Sequence, residues 1–353
     1  MNTIQGRAGD HRPFKEQLAE LSLSPLWESL HNLVPKQPKS PCVATHWRYR
    51  DILPVLLRAG ELISAEEAVR RVLVFENPGL MGEASITHSL YAGLQLILPG
   101  EVAPSHRHVQ SALRFIVEGK GAYTTVNGER TTMSPGDFII TPSWAWHDHG
   151  NEGIAGEAEP VIWLDGLDIP MVRFFDAGFA ENGSELSQPV RRVEGVSFAE
   201  FGHNMVPVKN IGTFSSSPIF NYPYARSREA LAALAKAQAP DEWQGYKLRY
   251  INPLTGGSPM PTISTFLQLL PAGFNGKPQR STDGTVYSVV EGSGTAYVGG
   301  VEFRFEPKDI FVVPPWDRLR FSVGQAADVV LFSYSDRPIQ QAAAILREEF
   351  LEN

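Results

Sequence analysis

Apolar and polar positions alternate in two different rhythms along the chain. From Phe14 to about Arg71 apolar residues recur at helical spacing, Leu18, Leu21 and Leu23 being followed by Leu26, Trp27 and Leu30. Prolines punctuate this stretch, and the pattern predicts a helical N-terminal arm over residues 1–80. Beyond about Leu73 the texture changes to short runs such as SLYAGLQLILPG, ALRFIVEG, AYTTV, DFIITP and PVIWLDG, each bounded by Gly, Pro, Asn or Asp. These read as strands of an all-β domain over residues 81–170. Residues 171–259 are mixed, with Pro- and Ser-rich connections and a helix from Ser227 to Ala237, and are expected to be a linker region. A second strand-rich domain is expected over 260–337, and RPIQQAAAILREEFLEN predicts a C-terminal helix over 338–353.

The two strand-rich blocks repeat one another. Gly119 and Gly121 in VEGKGAY answer Gly292 and Gly294 in VEGSGTAY, an offset of about 173 positions. Pro135-Gly136-Asp137-Phe138 with Pro142 and Trp144 answers Pro307-Lys308-Asp309-Ile310 with Pro314 and Trp316. Two copies of one strand-and-turn module predict two similar small barrels or sandwiches, closed against exposed sheet edges.

Composition narrows the functional classes. Of 353 residues 42% are hydrophobic and 20% charged, values of an ordinary globular protein. Lys plus Arg number 31 against 39 Asp plus Glu, and the net charge of −8 offers no basic field for a phosphate backbone, so no nucleic-acid partner is expected. One cysteine excludes a disulfide framework and a Cys-rich zinc site. MNTIQGRAGDHRPFKEQL has no apolar core of the kind a signal peptide needs, and no run of about 18 apolar residues occurs, so a cytoplasmic protein without a membrane partner is expected.

Four of the nine histidines stand in two short strands of the first block. His106 and His108 are two residues apart, so on a strand both point to one face and reach one metal ion. His147 and His149 show the same alternation some 40 residues on. Spacing alone does not separate His147 from His149, and imidazoles accept Zn, Cu, Ni and Fe alike. At the corresponding places the second block has Gln279, Ser281 and Leu319, so only the first domain should bind metal. The second is then left to packing, oligomer contacts or pocket walls. His203, His46, His88, His11 and His31 lack partners at ligand spacing and are read as structural.

Gly-x5-His-x-His followed by Pro-Gly-Asp-x4-Pro and His147-x3-Asn151 resembles the paired motifs of the cupin superfamily, with Trp144 where a glycine is usual. The glutamate usual after the second histidine is missing, Ala112 and Leu113 standing in that neighbourhood. More narrowly, HRHVQSALRFIVEG, WAWHDHGNEG and VIWLDGLDIP resemble the gentisate 1,2-dioxygenase family of ring-cleaving bicupins. That resemblance implies an all-β core of two jelly-roll cupin barrels, and Fe(II) held by His106, His108 and His147, with His149 as the adjacent catalytic histidine that supports the ligands or contacts substrate. It implies conversion of gentisate and O2 to maleylpyruvate, and a homotetramer. Three neutral ligands leave about three open positions on an octahedral ion, enough for a chelating hydroxy acid and dioxygen.

An aromatic anion needs a fixed cation. Arg114, evenly spaced after His106, is expected on the same strand face as carboxylate anchor. Arg70 resembles a second family arginine, although Arg71 adjoins it. Asp165 resembles the position that meets the hydroxyl para to the first, Tyr91 lies on the strand leading to the metal, and Gln110 is expected to share the ligand face and act in catalysis by hydrogen-bonding substrate or O2. A salicylate or 1-hydroxy-2-naphthoate 1,2-dioxygenase is the nearest alternative. A non-catalytic cupin binding a small aromatic acid is the alternative of another class.

Overall fold

The computed structural model describes residues 12–153, 159–209, 212 and 214–352. The chain divides into two units, Met1–Lys39 and Ser40–Asn353. In the first, helices Arg12–Glu20 and Leu26–Leu33 bury no residue, and Lys15 and Glu28 form an ion pair at 3.1 Å.

The second unit contains two jelly rolls, each made of a six-stranded and a five-stranded sheet, not of a closed ring of paired strands. In the first, the six-stranded sheet runs Asn221–Tyr222, Phe138–Thr141, Ala112–Glu118, Val161–Leu167, Tyr91–Ile97, Val72–Val74. Its five-stranded sheet runs Ala180–Asn182, Val102–His108, His147–Asn151, Ala122–Val126, Glu129–Thr132. The second jelly roll repeats this order. Its six-stranded sheet runs Thr45–Trp47, Ile310–Val313, Thr285–Glu291, Val329–Ser335, Ser264–Leu270, Tyr246–Arg249.

The largest apolar cluster joins residues of the two six-stranded sheets. Phe115 of the first stacks on Phe332 of the second at 4.1 Å between centroids, and Phe138 and Tyr250 pack beside them. Central strands covered on both faces are buried at nearly every position, which is why ALRFIVE and VVLFSYS read as largely apolar runs and not as strict alternation. Separate smaller cores fill the inside of each jelly roll, around Trp163 in the first and Phe311 in the second.

The duplication extends to unusual backbone. Trp144 and Trp316 both take left-handed conformations (φ 63° and 70°), where a glycine would be unstrained. Each is held by its amide, which donates to the carbonyl of His108 at 2.7 Å or of Ser281 at 2.6 Å. Each ring is covered by a guanidinium at 4.4 Å, Arg107 over Trp144 and Arg280 over Trp316. The strained turn thus ties itself to the second residue of the His-x-His strand.

Three expectations need correction. The N-terminal arm is not wholly helical, because Thr45–Trp47 and Val72–Val74 are edge strands of the second and first jelly rolls. Three-residue strands are too short to show periodicity. The stretch 171–259 does more than link, since Ala180–Asn182 and Asn221–Tyr222 pair into the first jelly roll and Tyr246–Arg249 into the second. The C-terminal helix ends at Ala342, and Glu348–Phe350 turns back to pair with Gln279–Ser281. Ala344 breaks the helix in a left-handed conformation (φ 58°). The mid-chain helix spans Tyr224–Ala237.

Candidate metal centre

His106 ends strand Val102–His108 together with His108, and pairs directly with His147 across the sheet. A register shift between Ala103 and His106 bends this strand just before the ligands. The ring nitrogens of His106, His108 and His147 that converge lie within 4.8 Å of one another, and ring centroids are 4.1 to 5.2 Å apart. Among the described residues this is the cluster able to hold a metal ion.

The residues fit such an ion. His108 Nδ1 donates to the Gln110 carbonyl and His147 Nδ1 to the Ala145 carbonyl, both at 2.9 Å, which leaves each Nε2 with an open lone pair. His147 Nε2 is buried and has no hydrogen-bond partner. At His106 the nearest polar neighbour is Arg70, whose Nη2 lies against Nδ1 and also donates to the Pro104 carbonyl at 3.1 Å. Burial, then the charge of Arg70, brings His106 down to about 3. Burial brings His108 to about 4, with Arg114 and Arg70 adding to it. His147 lies well below its ordinary value for the same reasons. All three are therefore neutral, the form that binds metal.

A cavity of about 250 Å³ opens on these histidines and is lined also by Arg70, Arg114, Tyr91, Asp165 and Gln95. Arg114 does not share the strand of His106. It lies on Ala112–Glu118 of the other sheet and reaches the same cavity from the opposite side, because the chain turns after His108. Its guanidinium is buried, donates through Nη1 to Thr141 Oγ1 at 2.5 Å, and stands 3.7 Å from Asp165. Burial lowers its pKa while Asp165 opposes this. Arg70 is lowered to about 9, first by burial and then by Arg114, and stays cationic at neutral pH. Asp165 pairs opposite Arg114 in register, accepts from Trp163 Nε1 at 2.9 Å, and is pushed up to about 6 by burial against the pull of Arg114. Two arginines against one carboxylate leave the cavity cationic.

The structure separates Arg70 from its neighbour, since Arg71 turns away to Glu101 at 2.5 Å. Gln110 does not share the ligand face: the strand ends at His108, and Gln110 serves His108 through its backbone carbonyl. His149 lies under the site, fully buried, 5.7 Å from the His147 ring and 5.5 Å from Trp163, and does not line the cavity. Sequence reading missed Gln95, although it alternates with Tyr91 along one strand. It also missed Val72, Ala112, Leu167 and Ile169, which line the cavity as ordinary apolar residues carrying no motif. His46 instead holds Asp309 at 2.8 Å, and His11 lies outside the described residues.

A cupin-domain model matches residues 93–165, which contain all three histidines. Gentisate 1,2 dioxygenase 1 of Aquipseudomonas alcaligenes is 53% identical over 339 residues, covering 96% of each chain. 5-Aminosalicylate 1,2-dioxygenase of a Comamonas species is 35% identical, covering 99% of this chain and 92% of that one. A crystal structure of salicylate 1,2-dioxygenase from Pseudoaminobacter salicylatoxidans, described as adducts with gentisate, superposes with a TM-score of 0.91 at 34% identity, covering 99% of this chain and 96% of that one. With its paired jelly rolls, its three convergent neutral histidines and this level of identity, the chain belongs to the gentisate 1,2-dioxygenase family of cupin ring-cleaving dioxygenases.

Proposed function

We propose that this protein is an Fe(II)-dependent dioxygenase that opens the ring of gentisate between carbons 1 and 2 with O2, giving maleylpyruvate. The observation that carries the reading is the convergence of three neutral imidazoles and two arginines on one small cavity. His106, His108 and His147 would hold the iron, which when bound supplies the activation of dioxygen and of the chelated hydroxy acid.

The chain's own groups position the substrate. Arg114, buried and fixed by Thr141, fits the substrate carboxylate as a charge-assisted partner. Arg70 adds a second cation from the other side of His106. Asp165 is placed to accept from the hydroxyl para to the chelating one, and Tyr91 shares its wall. Its strand is clamped between those of Arg114 and Tyr91, so its position is set by two ladders. His149 acts as a positioning residue that packs under His147. The family habit of homotetramers and the absence, among the described residues, of a helix able to cross a membrane accord with a cytoplasmic homo-oligomer. The match to 5-aminosalicylate and salicylate dioxygenases favours a second reading, action on ring acids without a 5-hydroxyl. Oxygen uptake by protein reconstituted anaerobically with Fe(II) decides between them: gentisate consumed and salicylate poorly consumed supports the first, equal rates the second. No uptake with either leaves a non-catalytic binding protein.

A further inference from the structure

The second jelly roll has lost its histidines but not its cavity. A cleft of about 490 Å³ stands where the metal centre stands in the first, lined by Gln279, Ser281 and Leu319 among others. Register confirms the correspondence: Gln279 pairs with Leu319 as His106 pairs with His147. On the neighbouring sheet Lys247 pairs with Gln268 as Val72 pairs with Gln95, so a lysine occupies the place of an apolar cavity residue.

The other cations of this cleft are engaged. Arg337 holds Asp283 at 3.2 Å and Glu348 at 2.5 Å, Arg280 holds Glu349 at 2.6 Å, and Arg249 donates to the Gly256 carbonyl at 2.9 Å. Asp317 lies more than ion-pair distance from Lys247 and next to Gly299. Lys247 Nζ sits 4.7 Å above the Phe266 ring, and among the described residues neither a hydrogen bond nor an ion pair satisfies it. Burial lowers it to about 8, with Asp283 and Glu348 opposing and Arg337 reinforcing the shift. Lys247 is half-buried and its ammonium faces the cleft with, among the described residues, no carboxylate paired to it, so an incoming carboxylate can reach it. Beside it Phe266, Tyr287, Leu319 and Phe350 form an apolar wall.

We propose that the second jelly roll binds a small carboxylate with a flat apolar body in this cleft, its carboxylate on Lys247 and its ring along Phe266 and Leu319. The site is separate from the metal centre and stands independently of the reaction assigned there.

The test uses benzoate with the Fe(II)-loaded Arg114→Met protein under anaerobic conditions, so that binding in the first jelly roll is weakened. Calorimetry should show one benzoate per chain, with proton uptake at pH 8 because the carboxylate raises the pKa of Lys247. Adding Lys247→Met should weaken benzoate at least roughly tenfold and abolish the uptake, while acetate binds at least roughly tenfold more weakly than benzoate because it lacks the ring. Lys247→Gln, checked by thermal unfolding, serves if the methionine variant is unstable. Gentisate turnover by Lys247→Met in the otherwise native chain should stay within about twofold, which keeps failure of this site distinct from failure of the first. Benzoate affinity and proton uptake unchanged by either Lys247 substitution, or no saturable binding in Arg114→Met, overturns the proposal. A crystal soaked in 4-bromobenzoate should show bromine in this cleft at the end of the ring away from Lys247, and bromine against Lys247 or confined to the first jelly roll also overturns it.

Discussion

Replacing Arg114 with methionine keeps much of the side chain's length and removes its charge. In the native site this guanidinium is 3% exposed, bonded to Thr141 Oγ1 at 2.5 Å and 3.7 Å from Asp165. Losing one charge-assisted hydrogen bond to a substrate carboxylate in a buried site costs about 1.5–3 kcal/mol. At about 1.4 kcal/mol per factor of ten, kcat/KM for gentisate should fall roughly 10- to 150-fold. Asp165 loses its nearest cation at the same time, so part of the loss reflects a carboxylate driven towards its neutral form. The assay is oxygen uptake on anaerobically reconstituted protein, with iron content measured on the same sample. Iron should remain bound, because Arg114 stands on the sheet opposite the three histidines. Arg114→Lys should recover only part of the activity, since a lysine ammonium lacks the planar fork that meets both carboxylate oxygens. A kcat/KM within about twofold of native would refute the role given to Arg114, and iron loss parallel to activity would refute the separation of anchor from metal centre.

Metal analysis should saturate near one iron per chain, and His106→Ala, His108→Ala and His147→Ala should each lose iron and activity together; a second tightly held iron would contradict the reading of Gln279, Ser281 and Leu319. Asp165→Ala should bring the gentisate-to-salicylate ratio of kcat/KM towards unity, because it removes both the contact with the 5-hydroxyl and the unpaired carboxylate that salicylate leaves behind; an unchanged ratio removes Asp165 from specificity. Asp165 keeps its proton up to about pH 6 in the fold, whereas an unfolded aspartate ionises near 3.8. The stability it contributes is full below the lower value and lost as pH rises through the higher one, so Asp165→Asn should gain on native protein as pH rises from about 4 to about 6, with little further change above, in urea midpoints. Phe115→Ala should cost about 3–5 kcal/mol in urea unfolding, because it empties the stack with Phe332 between the two jelly rolls; a cost below about 1 kcal/mol would mean that the interface repacks.

Some of this protein was settled by local order along the chain. The duplicated glycine and proline turns demand particular backbone conformations wherever they stand, so the two-module architecture could be read from their spacing. The alternation of side chains along a strand put His106 and His108 on one face without any knowledge of the fold. Even the loss of the second site was legible, because the repeat aligned Gln279 and Leu319 with ligands before their pairing was known. Other features depended on which strands meet. Arg114 lines the histidine cavity, but not because of its even spacing from His106, which crosses a turn: the residue returns on the opposing sheet. Arg70 and Arg71 are equivalent in sequence, and only the position of Glu101 draws one away and leaves the other to the cavity. The edge strands Thr45–Trp47 and Glu348–Phe350 carry no periodicity of their own and exist because a neighbouring strand offers unpaired backbone groups. Lys247 carries no motif, and its isolation follows from where Arg337 and Glu348 spend their charges, a matter of contacts between residues far apart in the chain.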